Sequence, residues 1–474
     1  MPKRHRWPTW LVPLAVALPL LLWHVSEPWT GSFDANGARY STAARNTLRY
    51  GFWATRGGQI IDGGMREPSE YVYYAHHPPA LPLTIATSFA VFGLHEWAAR
   101  LVAIAFTLGS VVLVTWLGYQ LAGPRAGGLA GLVFVLQPMI AFYGRMPDHE
   151  APALFFALLT ACSYVRWHRS GETRWIVLAS AASATGVFYA WIVFVLPWLL
   201  LGHALLVRGR WRAAVWPCGA ALLAVVCVVA HIALLEGGLD ELWGALAHRT
   251  GAQAADRGSA ATFGLAGMLG RQCSYFSIAF NWVAAALVPV WLLGFGRARM
   301  SDTLLVAALT LFGLANVFGF PQGAYVHIYY QFYLALPLAL VGGFVLAELG
   351  RRRLVWLTAL ILVAMAVQSE QRLRRDLHRS YARPDPNYVR QFALAPKLRS
   401  QTEPTDKVLL VWALPASFRQ LAWEADRNIT IAKDEAEARD LAAKRQFNAR
   451  FVVEDAGYDV DLRPWPEPAR PPAR

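Results

Sequence analysis

The stretch WIVLASAASATGVFYAWIVFVLPWLLLGHALLV occupies residues 175–207, and its 33 residues include no Asp, Glu, Lys or Arg. A helix crosses ~30 Å of hydrocarbon in ~20 residues. The run is too long for one span and long enough for two short ones joined by a tight turn near 189–191. Its flanks are RWHRSGETR (166–174) and RGRWR (208–212). Two crossings put both basic flanks on the same side of a membrane.

The same texture extends in both directions. Apolar runs occupy 9–25, 79–93, 97–123, 126–142, 151–165, 213–235, 275–296, 303–320, 328–349 and 354–367. The 474-residue chain is 56% hydrophobic and 16% charged, too apolar for an ordinary soluble protein. Lipid-exposed backbone must satisfy itself, which leaves helices or closed barrels. A barrel would show ~10-residue alternating segments. The expected class is an all-α polytopic membrane protein. The net charge of +13 does not indicate nucleic acid, because the arginines fall in short clusters between apolar runs, as in cytoplasmic loops. The four cysteines show neither a disulfide framework nor metal spacing.

Charge bias fixes the expected topology. The 79–93 run is short and opens on Pro78-Pro79. If it lies at the interface and 175–207 crosses twice, every short basic cluster falls on one side. These are the N-terminal KRHR, Arg125, 166–174, 208–212, GRAR (296–299) and Arg351-Arg352-Arg353. If 79–93 crosses, all those after the N-terminus switch sides. The expected count is therefore eleven spans with the N-terminus inside and the C-terminal domain outside. The basic start of the chain resembles a signal peptide, but no small-residue cleavage site follows Leu22. It reads as a retained first span.

Two domains are expected: a transmembrane domain over 1–369 with a first outer loop over 26–96, and a small extracytoplasmic α/β domain over 370–474. Pro384-Asp385-Pro386 marks the boundary. In the second domain VLLVW (408–412), ITIA (429–432) and FVVE (451–454) read as strands, and DEAEARDLAAKRQF as a helix. The tail RPWPEPARPPAR reads as extended.

This topology places four polar constellations on the outer side: Phe33-Asp34, His76-His77-Pro78-Pro79, YGRMPDHEAP (143–152) and VHIYY (326–330). Asp34, at the membrane rim, reads either as a general base made more basic by partial desolvation, or as a helix N-cap. Asp148 and Glu150 could share a divalent cation beside Arg145, whose planar fork suits a phosphate. They read equally as N-cap and first-turn acid of the next helix. His76 or His77 could bind phosphate or metal, or read as plain hydrogen-bonding residues, and His327 stands out before a pair of tyrosines. Arg100 could snorkel to headgroups or hold an anionic lipid.

The pattern resembles the GT-C class of polyprenyl-phosphate-dependent glycosyltransferases, in particular the branch with protein O-mannosyltransferases and the aminoarabinose transferases of lipid A. The resembling pieces are Asp34 with ARYSTAARNTLRYG, then YYAHHPPALPLTIATSFAVFGLHEWAARL, Arg145-x-x-Asp148, and HIYYQFYLALPLALVGG. They cover roughly 8–350 and are most specific in the first 160 residues. The two acidic pieces are also similar to motifs of oligosaccharyltransferase catalytic subunits. Asp34 is followed by Ala35 where Asp-Glu is usual, and the WWDYG motif is absent.

The resemblance implies hexosyl or pentosyl transfer from a polyprenyl-phosphate sugar to a lipid, glycan or protein acceptor. The expected place is the outer face of a bacterial inner membrane, with membrane lipid around the chain. It implies catalytic roles for Asp34, Asp148 and Glu150, with Asp34 as base. Substrate contacts are expected from Arg145, Arg100, His77, His327, Tyr330 and Tyr40. A divalent cation, Mg or Mn, held by Asp34, Asp148 and Glu150 is a candidate cofactor, and no organic cofactor is expected. The rival classes are a secondary transporter, which would carry polar sites near midplane on broken helices, and a flippase or ligase acting on polyprenyl-linked glycans.

Overall fold

The structure is a computed structural model that describes residues 9–31, 33–251, 263–296, 299–413, 418–456 and 459–465. The N-terminal KRHR, Arg297 of the GRAR cluster and the tail from Pro466 onward lie outside the described residues.

The chain forms a multi-pass membrane protein. Among the described residues, four helices are long and apolar enough to cross a membrane: Glu96–Ala122, Trp211–Ala233, Met300–Gly319 and Ile328–Arg351. The pair Leu265–Ala279 and Trp282–Leu292 makes a fifth span if counted as one, bent by 111°. Shorter apolar helices are Leu11–Leu22, Ala80–Phe92, Pro124–Val135 and Trp191–Leu206. The 175–207 run breaks where its length requires: Thr173–Val187 ends, and a 3-10 turn at Trp191–Phe194 leads into Val195–Leu206.

Two apolar runs that read as single spans are broken. The 126–142 run divides into Pro124–Val135 and Pro138–Tyr143, with Pro138 opening the second helix, where its missing N–H costs nothing. The 275–296 run bends at Asn281. The Asn281 side chain caps Val283 N at 3.1 Å and donates to Met365 O at 2.7 Å, while Asn281 N donates to Gln137 Oε1 at 2.9 Å. A polar residue thus replaces helix continuity with side-chain bonds at a position closed to solvent.

The molecule divides into two compact units. The first comprises Met1–Val25, Ala75–Leu81 and Arg100–Leu377, and holds most of the apolar helices. In it Pro124–Val135 packs closely on Ala335–Arg351 through small residues. A Cβ on Gly343 would lie 2.7 Å from Ala130 N and from Ala126 O, so only glycine lets these backbones approach.

The second unit comprises Ser26–Tyr74, Pro82–Ala99 and His378–Arg474. Its sheet contains β1 (Lys407–Val411), β2 (Asn428–Ala432), β3 (Ala449–Ala456) and β4 (Asp459–Pro464), in the order β2-β1-β3-β4. β1 runs parallel to β2 and β3, and β4 is antiparallel to β3. Val408 and Leu410 pack into one core with Leu394, Leu398 and Leu421, while Leu409 and Val411 pack into another with Ala438. Burial on both faces explains the unbroken VLLV run. The antiparallel edge strand β4 takes in Arg463 and Pro464, the first residues of the tail read as extended.

Candidate active site

A cavity of about 300 Å³ opens in the first unit. One wall is the 75–81 segment, anchored at several points. Ala75 N donates to Glu241, the Trp191 indole donates to His76 O at 2.9 Å, and Ala80 N donates to Phe188 O at 3.1 Å. His76 Nδ1 donates to Glu241 Oε1 at 2.8 Å, which leaves its Nε2 as acceptor. Arg249, in the last turn of Gly238–Thr250, fills that role: its Nη2 lies 3.1 Å from His76 Nε2 and 2.9 Å from His77 Nε2. A Glu241–His76–Arg249 relay therefore fixes a guanidinium at the cavity.

His77 stacks on His149, with ring centroids 4.4 Å apart and planes within 10°. His149 is itself held by its Nδ1 on Tyr189 O at 2.6 Å. The Glu150–Ser170 helix begins one residue later, with His149 as N-cap. Asp148 is not the cap; its Oδ1 accepts from His149 N at 2.9 Å. Asp148 and Arg249 act electrostatically on the Glu150 carboxylate. Glu150 Oε2 is sealed from solvent with no hydrogen-bond partner among the described residues. Beyond this polar end the walls are apolar, formed by Val229, Leu242, Trp243 and Leu246, and Tyr330 and Tyr333 line the cavity as well. His327 stacks on Tyr329 and Tyr330.

The structure thus gathers His77, Glu150 and Tyr330 from three of the constellations singled out in the sequence. Arg145 and Arg100 stand elsewhere in the first unit, each only 1% exposed. Arg145 donates to Trp23 O, and Arg100 Nη1 donates to Val25 O at 2.9 Å, so both hold the exit of the first helix. Asp34 and Tyr40 belong to the second unit. Asp34 opens the Asp34–Tyr50 helix as its first residue, with Phe33 as N-cap in the left-handed region at φ 66°. Its Oδ2 accepts from Gly31 N at 2.8 Å, and its Oδ1 accepts from Tyr381 Oη at 3.2 Å. Tyr40 is buried edge-on against Tyr74, at a centroid distance of 6.4 Å.

Arg249, Glu241 and Trp191 were not marked by sequence. The available signal was GLDELWGALAHRT, an amphipathic segment between apolar runs with acids in its first turn and His248-Arg249 in its last. Among the described residues no three His, Cys, Asp or Glu side chains gather to hold a metal ion. At the cavity the donor chemistry also opposes one, because the Arg249 guanidinium occupies the ring nitrogens of His76 and His77.

The segment 76–233 matches the family model described as dolichyl-phosphate-mannose-protein mannosyltransferase. Among solved structures the chain is similar to ArnT from Cupriavidus metallidurans bound to undecaprenyl phosphate. That match has 15% identity and a TM-score of 0.64, and covers 92% of this chain and 88% of that one. It is also similar to the oligosaccharyltransferase AglB from Archaeoglobus fulgidus in complex with an inhibitory peptide and a dolichol-phosphate, at 10% identity and a TM-score of 0.58, over 94% and 69% of the two chains. Another structure of the Archaeoglobus fulgidus oligosaccharyltransferase holds Zn and sulfate, and matches at 11% identity with a TM-score of 0.60, over 94% and 68%. No curated protein matches the sequence. The fold is that of the GT-C class of membrane glycosyltransferases, and the matched segment marks the chain as a glycosyltransferase.

Proposed function

We propose that the chain moves a sugar from a polyprenyl-phosphate donor to an acceptor hydroxyl, at the outer face of a bacterial inner membrane and with inversion. The observation that carries this reading is the cavity: a fixed arginine and a histidine at one end, a carboxylate beside them, and apolar walls beyond. That is the polarity of a lipid phosphate, charged at its head and greasy behind it. Arg249 and His77 receive the phosphate, and the walls formed by Leu242, Trp243 and Leu246 receive the isoprenoid.

In the reaction a bond forms from the acceptor oxygen to the anomeric carbon as the bond from that carbon to the phosphate oxygen breaks. The electron pair leaves with the phosphate, where Arg249 stabilises it. The acceptor proton goes to a carboxylate. The resemblance gives that role to Asp34 and gives Asp148, with Glu150, the orientation of the acceptor or of a cation.

The test incubates purified protein in detergent with a labelled polyprenyl-phosphate sugar and a hydroxyl acceptor. Release of polyprenyl phosphate is expected, and Arg249→Ala lowers it about a hundredfold, the usual scale for losing one oxyanion donor. Asp34→Asn abolishes transfer while donor still binds. Full activity in a folded Arg249→Ala variant refutes the phosphate assignment. Lipid movement without cleavage would identify a flippase instead.

A further inference from the structure

A second, larger cavity of about 630 Å³ lies in the first unit, away from the proposed catalytic groups. The Glu150–Ser170 helix connects the two. Glu150 at its start lines the first cavity, while Tyr164, His168 and Arg169 near its end line the second. At 1.5 Å per residue the helix rises about 21–29 Å from Glu150 to Tyr164 and Arg169, so the cavities lie toward its opposite ends.

The second cavity is built from helix ends. Gln120 comes from the end of Glu96–Ala122, His203 from Val195–Leu206, and Arg299 and Asp302 from the start of Met300–Gly319. Its inner wall is fixed by hydrogen bonds. Tyr164 Oη donates to His203 Nδ1 at 2.7 Å, and His203 Nε2 donates to Ser301 O at 2.8 Å, so both ring nitrogens are committed. Arg169 donates to Gln120 O and pairs with Asp302 Oδ1 at 3.0 Å. That pairing consumes the acid of the lining and leaves Arg169 immobilised with further N–H groups to offer.

Arg299 is different. Its guanidinium has no ion-pair partner among the described residues, and this exposed residue lines the same cavity. His168 Nδ1 is likewise without a hydrogen-bond partner among the described residues. Two arginines against one aspartate leave the lining net positive before either histidine takes a proton. Arginine's planar donor fork matches the oxygens of a phosphate.

We propose that this cavity binds a phosphate group, carried by a membrane lipid or by a soluble solute, with Arg299 and Arg169 as its donors. The proposal does not depend on the function assigned to the first cavity. The test titrates dihexanoyl phosphatidate into the purified full-length protein in a neutral detergent and reads binding by calorimetry. The Arg249→Ala background silences the first cavity. Saturable binding is expected there, weakened at least tenfold by adding Arg299→Glu and restored by Arg299→Lys. The Arg299 side chain makes no hydrogen bond or ion pair among the described residues, and the backbone O with which it caps Met300–Gly319 is kept on substitution, so the variant is expected to keep the native unfolding midpoint. Inorganic phosphate is then added as competitor. Displacement at millimolar concentration assigns a soluble ligand, and failure to displace assigns a lipid headgroup. Binding by Arg299→Glu equal to that of the background, or no saturable binding at all, overturns the proposal.

Discussion

Glu424 lies in the second unit between a carboxylate and two arginines. Burial and the Glu96 charge push its carboxyl up to about 7, against the opposing pull of Arg399 and Arg45. The folded chain therefore holds a proton that the unfolded chain releases between the ordinary carboxylate range and pH 7. This contribution to stability is complete at acid pH and is lost as pH rises through about 7. Glu424→Gln should unfold at the same temperature as the native protein near pH 4 and at a higher one near pH 8. Parallel midpoint curves from scanning calorimetry would refute the assignment. The neighbouring Asp426 carries the opposite sign: its bonds to Arg49 and Arg45 outweigh its burial and hold it below the usual range. None of this was legible in the sequence. Arg45 and Asp426 are hundreds of positions apart, and a charge's partner is set by tertiary structure. The same holds for Arg249, which reads as an ordinary basic helix end until His76 and His77 are found against it. Asp148, Glu150, His77 and Tyr330 could be marked because unusual polar residues at the edges of apolar runs stand out locally.

At the scale of elements, hydropathy reports where apolar runs lie and says little about how they bend. The 175–207 break was legible because the run exceeds one span and the basic loops demanded an even number of crossings. The bend at Asn281 was not, because one asparagine in an apolar run reads as a tolerated polar residue. Strands β1, β2 and β3 announced themselves as compact β-branched and leucine runs. β4 did not: DVDLRP alternates Val460 and Leu462 with polar residues and continues into a proline-rich tail. Helix contact depends on side-chain size. At Gly343 an added methyl meets backbone atoms of Ala126 and Ala130, which cannot rotate away. Gly343→Ala should therefore destabilise the helix pair by about 1–3 kcal/mol, the usual cost of overpacking. Gly202, which has nothing within 4 Å of its Cβ position, supplies the control: Gly202→Ala should be neutral or slightly stabilising. Equal unfolding midpoints for the two variants would show that the close approach is not required.

For the whole molecule, the sidedness of the first cavity matters most, because a lipid-linked sugar is reachable from one leaflet only. Ser170 and Glu236 are both exposed. Between them run three helices, Thr173–Val187, Val195–Leu206 and Trp211–Ala233. If each of these helices crosses the bilayer, Ser170 and Glu236 stand on opposite sides. Ser170 belongs to the basic loop RWHRSGETR, which the charge rule assigns to the cytoplasm. Glu236 precedes the Gly238–Thr250 helix, which delivers Arg249 to the cavity. In a background where the exposed Cys227 and Cys273 are replaced by serine, Glu236→Cys should react with a membrane-impermeant maleimide in intact cells. Ser170→Cys should react only after the cells are permeabilised. The reverse pattern would place the Arg249 cavity in the cell interior, and a donor presented on the outer leaflet could not reach it. Labelling of both sites in intact cells would mean that the 173–233 helices do not form an odd number of crossings. The double crossing of 175–207 would then fail, and with it the placement of every basic loop that follows.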